Sequence, residues 1–379
     1  MVARLCPLRA VTVAAAVVTI GVVALPARAN STPAPRVVVK NTHDSGPGSL
    51  RDAVTNAVDG ETIKVPAGHY RLTSGELSTD VSLHISGAGA RKTLIDGTGT
   101  SRVIEDTSAT AKLYLSDLSV ENGNSQGGDG GGVETAGALT LVRVAVVDNR
   151  AGNNHQIENG GGIEVSGNFV VRSSLIAHNL GYSGGAAEAE STLELINSTV
   201  ADNQAGSATV GDNGVSGAIE TDDKPASVVN STIAFNRCFN GSTCGGAFYN
   251  GDFTFTNSII AENFGYLDNG HRAGSKANPA SQTNCDGPVA FRYMTAGYNL
   301  GGTVDCGLTK PTDQQKVNPR LGQLRDNGGP TDTLALGKDS PAIDRVPAAR
   351  CPKIDQRGKR RPDHHERRCD IGAYEHQDP

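Results

Sequence analysis

Gly130-Gly131-Gly132-Val133-Glu134-Thr135 is the stretch on which the reading of this 379-residue chain turns, because the chain returns to it four times. The copies are Gly160-Gly161-Gly162-Ile163-Glu164-Val165, Gly184-Gly185-Ala186-Ala187-Glu188-Ala189, Ser216-Gly217-Ala218-Ile219-Glu220-Thr221 and Gly245-Gly246-Ala247-Phe248-Tyr249-Asn250. Glu holds one place in all but the last, where Tyr249 replaces it. An Asn follows each copy after an apolar segment, and with Asn122 ahead of the first copy the anchors are Asn149, Asn179, Asn203, Asn236 and Asn263, at intervals of 27, 30, 24, 33 and 27 residues. Short alternating segments at 62–65, 82–85, 93–95, 103–104 and 113–120 lead into the repeat, separated by Gly, Asn or Asp. Periods of this size, with three short strands in each and neither a helical pattern nor two-residue hairpin turns, predict an all-β fold, a parallel β-helix or solenoid. Ser49, with Asp52 three positions on, reads as the start of a short N-terminal capping helix whose apolar face is Leu50, Ala53, Val54 and Ala57.

Arg4 and Arg9, an apolar run over 11–25 and Ala27-Arg28-Ala29 have the form of a signal peptide over residues 1–29. No later run has the roughly 18 apolar residues of a spanning helix, so no transmembrane segment is expected, and a secreted, extracellular monomer is. Residues 30–309 are read as the β-helix with its cap, and 310–379 as an irregular, disulfide-containing C-terminal region. The chain carries a formal net charge of −6, and from Lys310 onward 14 Lys and Arg stand against 11 Asp and Glu. The repeat body is therefore strongly acidic, which excludes nucleic acid as a partner and disfavours polyanionic sugars unless a cation bridges them. Six cysteines remain beyond the signal, an even number suited to disulfides in an exported chain. Pairing of sequence neighbours gives Cys238–Cys244, Cys285–Cys306 and Cys351–Cys369.

Gly48-Ser49-Leu50-Arg51-Asp52-Ala53, followed by Gly60-Glu61-Thr62-Ile63, resembles the start of the exported bacterial β-helix proteins named for a C-S-L-R-E-A motif, with Gly for the Cys and Asp for the Glu. Asn318-Pro319-Arg320-Leu321-Gly322, Asp326-Asn327-Gly328-Gly329-Pro330-Thr331, Ser340-Pro341-Ala342-Ile343-Asp344, Asp355-Gln356-Arg357-Gly358 and Cys369-Asp370-Ile371-Gly372-Ala373-Tyr374-Glu375 resemble the choice-of-anchor Q domain. Together these resemblances imply a right-handed parallel β-helix of the pectin-lyase-like superfamily, and no particular reaction. Members often carry a surface anchor beyond the Q-type domain, whereas this sequence stops at Pro379, which points to release into the medium.

Stacking of coils places Glu134, Glu164, Glu188 and Glu220 in one outward row at the inter-strand spacing of ~4.8 Å. Like charges directly opposite one another are destabilising, so the row is relieved by solvent, by a cation or by raised pKa values in a cleft. The plainest reading is a solvated outer face. Loops of variable length, at 150–159, 180–183, 204–215 and 237–244, rise beside the row, and His155 and Glu158 in the first of them are candidate ligand contacts. As a catalytic pair, two of the four Glu would suit a glycoside hydrolase: neighbouring rungs match the ~5 Å of retaining enzymes and alternate rungs the upper end of the inverting range. A polysaccharide lyase would need Ca²⁺, for which carboxylates and carbonyls are suitable ligands, and a base, yet the only basic residues read on this face are Lys224 and Arg237 at its lower end. No cofactor beyond Ca²⁺ is assigned. The leading expectation is a protein that binds a cell-surface or extracellular glycan, such as a cell-wall polysaccharide, without catalysis; a carbohydrate-active enzyme and a purely structural surface scaffold are the alternatives. The Asn column is read as structural, the residues before it (Glu121, Asp148, His178, Asp202, Glu262) as solvated turns, and 359–368 as a solvated basic loop.

Overall fold

Two kinds of corner bend this chain into coils, and both are legible in single residues. At the first, Asp117, Arg143, Ser173, Asn197, Asn230 and Asn257 each take a positive φ between 47° and 56°. At the second, Asn122, Asp148, His178, Asp202, Phe235 and Glu262 do the same, with φ between 52° and 62°. One left-handed residue turns the strand direction sharply, and Asn and Asp tolerate that conformation better than other non-glycine residues. The stretch 113–120 is therefore two strands, Lys112–Ser116 and Ser119–Glu121, broken at Asp117.

The computed structural model describes residues 36–153, 156–206, 214–239, 244–267, 271–272, 283–286, 292–363 and 366–377; the signal-peptide reading and His155 lie outside them. Among the described residues, three large parallel sheets stack strands of successive coils in chain order, which makes the fold a β-solenoid. The first has ten strands, from Arg36–Val38 to Tyr293–Gly297; the second has ten, from Gly68–Arg71 to Gln314–Gln315; the third has seven, from Leu77–Thr79 to Phe248–Tyr249. Ile104, Val133, Ile163, Ala187, Ile219 and Phe248 stack in register on the inner face of the third sheet and are buried.

The helix Leu50–Thr55 closes the upper end of the core. Ser49 caps it by accepting the Asp52 N–H at 3.1 Å, Leu50, Ala53 and Val54 join the cluster that holds Ile63 and Leu77, and Arg51 donates to the Gly75 and Glu76 carbonyls. Lower down, Phe248, Phe253, Phe255 and Tyr293 fill the interior with ring centroids 4.6 to 6.4 Å apart. The disulfides join Cys238 to Cys244, Cys285 to Cys306 and Cys351 to Cys369.

Directly after five of the six second-corner residues, Asp148, His178, Asp202, Phe235 and Glu262, comes a buried asparagine. Asn149, Asn179, Asn203, Asn236, Asn263 and Asn284 form a ladder in which backbone N and Nδ2 of one rung both donate to Oδ1 of the next, the Nδ2 bonds measuring 2.9 to 3.0 Å. Asn122 is not a rung. It occupies the left-handed corner, and Gly123 is the residue that donates to Asn149 Oδ1. A second, shorter ladder follows the first corner, where Ser174, Ser198 and Ser231 each give a backbone N–H to the hydroxyl of the next serine, ending at Ser258. Asn197-Ser198-Thr199 and Asn230-Ser231-Thr232 are therefore corner elements, with both asparagines about 5% exposed.

After Gln315 the chain folds back along the outside of the second sheet. Ala201 and Ala234 meet Leu334, Ile259 and Ala261 meet Leu336, Val346 and Ile371, and Thr199 Oγ1 bonds Gln356 Oε1 at 2.6 Å. A buried charge cluster organises this strap: Arg357 reaches Asp355 and the Glu375 carbonyl, and Arg361 reaches the Asp370 and Gly372 carbonyls. Arg361 is 4% exposed, so it does not belong to a solvated basic loop; a guanidinium carries enough donors to be held in such a cage.

Candidate functional site

Register places Ser78, Glu105, Glu134, Glu164, Glu188, Glu220 and Tyr249 in one row on the outer face of the third sheet. The side chains point away from the core because Val133 and Thr135, on either side of Glu134, point into it. The row is not a solvated surface, however. Glu164 and Glu220 are each only 7% exposed, and at Glu164 the Gly-rich loop of its own coil lies against the row: a Cβ added to Gly160 would come 2.6 Å from Glu164 Oε2. Glycine at 160, with φ of 58°, is what lets backbone cover a carboxylate this closely. The outward direction was readable from strand alternation; the cover was not, because it depends on where loops of unequal length settle.

Burial changes the electrostatics of the row. Burial first, then the charges of Glu188 and Asp129, push the Glu164 carboxyl well above the usual carboxylate range. Burial and Glu220 do the same to Glu188. Glu220 is pushed up to about 7, with Asn250 Nδ2 donating to its Oε1 at 3.0 Å and limiting the rise. Among the described residues, one carboxyl oxygen of Glu164 and one of Glu220 are buried without a hydrogen-bond partner.

At the upper end a guanidinium enters the row. Arg102, 7% exposed, contacts Glu76 at 3.0 Å and Glu105 at 3.1 Å and also pairs with Glu134, while its Nε donates to the Gly130 carbonyl at 3.1 Å. The face thus has a basic residue that the sequence reading missed, along with a fifth glutamate, Glu105. Both lie in Ser101-Arg102-Val103-Ile104-Glu105-Asp106, which lacks the Gly-Gly prefix of the later copies. The usable signal was the triplet Ile104-Glu105-Asp106, which matches Val133-Glu134-Thr135 one coil later.

Between Arg102 and Glu164 lies a cleft of about 300 Å³ lined by Glu105, Asp106, Asp129, Glu134, Glu164 and Glu190 together with Thr135 and Ser166. Glu134 and Glu164 are thereby brought together, whereas Glu188 and Glu220 continue the row beyond the cleft lining. Glu158 is half-buried and does not line it; its carbonyl accepts the Tyr182 N–H at 2.7 Å. Lys224, at the lower end, is exposed. The cleft is rich in hard oxygen donors, and Arg102, the cation beside it among the described residues, is committed to three carboxylates.

No protein-family profile matches this chain, and no curated protein sequence does. Among solved structures, the crystal structure of pectate lyase Pel9A is similar at a TM-score of 0.40 and 14% identity, covering 90% of this chain and 96% of that one.

Proposed function

We propose that the glutamate row binds an extended, hydroxyl-rich glycan outside the cell without cutting it. The observation that carries this reading is the cleft itself, where Glu105, Glu134, Glu164 and Glu190 converge with Thr135 and Ser166. Sugar hydroxyls, which both donate and accept, are suited to bond such a set of oxygens. Carboxyls held protonated at neutral pH add donors to the same row, and Tyr249 ends it with an aromatic ring. Rungs recurring every ~4.8 Å suit a polymer laid along the solenoid, with successive sugars meeting successive glutamates. The acidic balance favours a neutral chain; a uronate polymer would require Ca²⁺ between its carboxylates and those of the cleft. The signal-like leader and three disulfides support an extracellular setting.

A second reading, hydrolysis, is favoured by one feature: the Arg102 guanidinium opposes the burial that raises the Glu134 carboxyl, while Glu164 beside it has no ion pair among the described residues. Neighbouring carboxyls in different protonation states are the general acid and nucleophile arrangement of retaining glycosidases. A lyase is less well supported, since an arginine bound to three carboxylates has no proton-accepting form.

The test is to incubate the purified protein with neutral and acidic polysaccharides, with and without Ca²⁺, measuring retention by affinity electrophoresis and reducing ends in solution. Binding without reducing ends, lost in Glu164→Ala but kept in Glu164→Gln, is expected. Reducing ends that vanish in Glu164→Gln would replace the binding reading with the hydrolase. Binding that survives replacement of Glu134, Glu164, Glu188 and Glu220 together would remove this face from consideration and leave the scaffold reading.

A further inference from the structure

We propose that His69, Asp96 and Glu121, on three consecutive coils of the second sheet and separate from the glutamate row, form a binding site for a divalent transition-metal ion of the zinc class. His69 Nε2 lies 2.7 Å from Asp96 Oδ2 and 3.9 Å from Glu121 Oε1, and the three ligand atoms all fall within 4.8 Å of one another. Ligands bound tetrahedrally at about 2.0–2.1 Å stand roughly 3.3 Å apart. The two histidine separations bracket that value and the third pair lies within 4.8 Å, so rotamer adjustments of about 1.5 Å or less close the set on an ion.

The backbone explains why these residues meet. Asp96 and Glu121 are direct register partners, and His69, opposite Leu94, reaches Asp96 diagonally across the strand pair. Asp96 is fixed: it is 5% exposed, and its other oxygen accepts the Thr98 N–H at 2.7 Å. That bond leaves Oδ2 aimed at His69. The His69 side chain is 48% exposed and that of Glu121 18%, so an ion would be reached from solvent and would keep water in its remaining position.

A histidine–aspartate hydrogen bond accounts for two of these groups and leaves the third without a role. One imidazole N–H cannot serve both carboxylates, and among the described residues the Glu121 side chain makes no hydrogen bond. Glu121 instead stands beside its register partner Asp96, and its one ion-pair contact among the described residues is His69 Nε2 at 3.9 Å. Arg71 is the register partner of Asp96, yet it is exposed and forms no ion pair with either carboxylate among the described residues. One neutral imidazole and two carboxylates suit zinc-class ions, which accept mixed nitrogen and oxygen ligands, better than Ca²⁺, which takes oxygen alone.

The full exported chain, stripped with chelator, is titrated with Zn²⁺ by calorimetry and with Co²⁺ by visible absorption. The expected result is a site that disappears, by one equivalent per chain or by more than about tenfold in affinity, in both His69→Ala and Glu121→Gln. Both positions retain enough exposure for the variants to fold, which circular dichroism checks. Failure of the wild type to bind either ion overturns the proposal, as does unchanged affinity in His69→Ala. Occupation by Ca²⁺ that excludes Zn²⁺ overturns the assignment of ion class.

Discussion

Replacing Glu220 by Gln should stabilise this protein at alkaline pH and leave it unchanged in acid. Glu220 is 7% exposed, and burial, aided by Asp222 and Asp223, lifts its carboxyl from 4.5 to about 7 in the folded chain. In the unfolded chain the same group titrates near 4.5. Between those two values the folded state retains a proton that the unfolded state has released, so stability from this group is full below about pH 4.5, falls as pH rises through 7, and is flat above. A shift of about 2.5 units at ~1.4 kcal/mol each makes the loss about 3 kcal/mol. Gln carries no charge and still offers Oε1 to Asn250, whose Nδ2 bonds that atom at 3.0 Å in the wild type. Urea unfolding followed by far-ultraviolet circular dichroism at pH 4.5 and pH 9 measures the effect, which should move the pH 9 midpoint of the variant upward by the order of 1 M. A solenoid need not unfold in one step, so the transition compared is the one that Glu220→Gln moves. A wild type that is more stable at pH 9 than at pH 4.5 in that transition, or a variant weaker than wild type at pH 9, would refute the reasoning.

Arg102→Met should destabilise by about 3–5 kcal/mol at neutral pH, because it strands Glu76, Glu105 and Glu134 without their shared cation, and the loss should shrink at pH 4 in the same urea assay. Asn203→Ala removes a rung that is 0% exposed and takes the acceptor from the Asn179 backbone N–H, while Asn236 Oδ1 keeps the backbone N–H of residue 203; at about 1–3 kcal/mol for an orphaned buried group, a fall of that size is expected by thermal or urea unfolding. Expression in a glycosylating host should leave Asn197 and Asn230 unmodified in the folded protein, as read by intact mass, because both side chains are buried at a corner.

Local rules carried most of the architecture. The Gly-Gly-apolar-Glu repeat set the register of the third sheet, and Ser49 with Asp52 placed the helix start where Ser49 accepts the Asp52 N–H. The Asn column was legible as structural, but its register was not: Asn122 shares the residue type and misses the ladder by one position, a distinction made by φ and not by composition. The burial of Glu164 was out of reach for a different reason. It depends on a loop from the same coil lying over the row, and Gly160 marks that closeness only once the loop's path is known. Arg102 escaped because it precedes its strand, whereas a search along a row of equivalent positions looks only within strands. Likewise, Arg361 sits among basic neighbours in sequence and is caged by the Asp370 and Gly372 carbonyls only in the folded strap.

The asparagine ladder runs one way. Each rung gives two donors onward, to Asp305 and Thr303 at the last, and each rung after Asn149 receives two from the coil that precedes, Asn149 itself receiving one from Gly123. A directional chain of identical links has no preferred length. Insertion of a whole coil that carries its own Asn between Asn179 and Asn203 would break one set of bonds and make two, whereas insertion of half a coil would carry the next Asn off the column and leave the Asn179 donors without an acceptor. Gene duplication in units of one coil is thus nearly silent for the spine of this protein. The number of glutamates in the row can change by the same event without redesign of the interior.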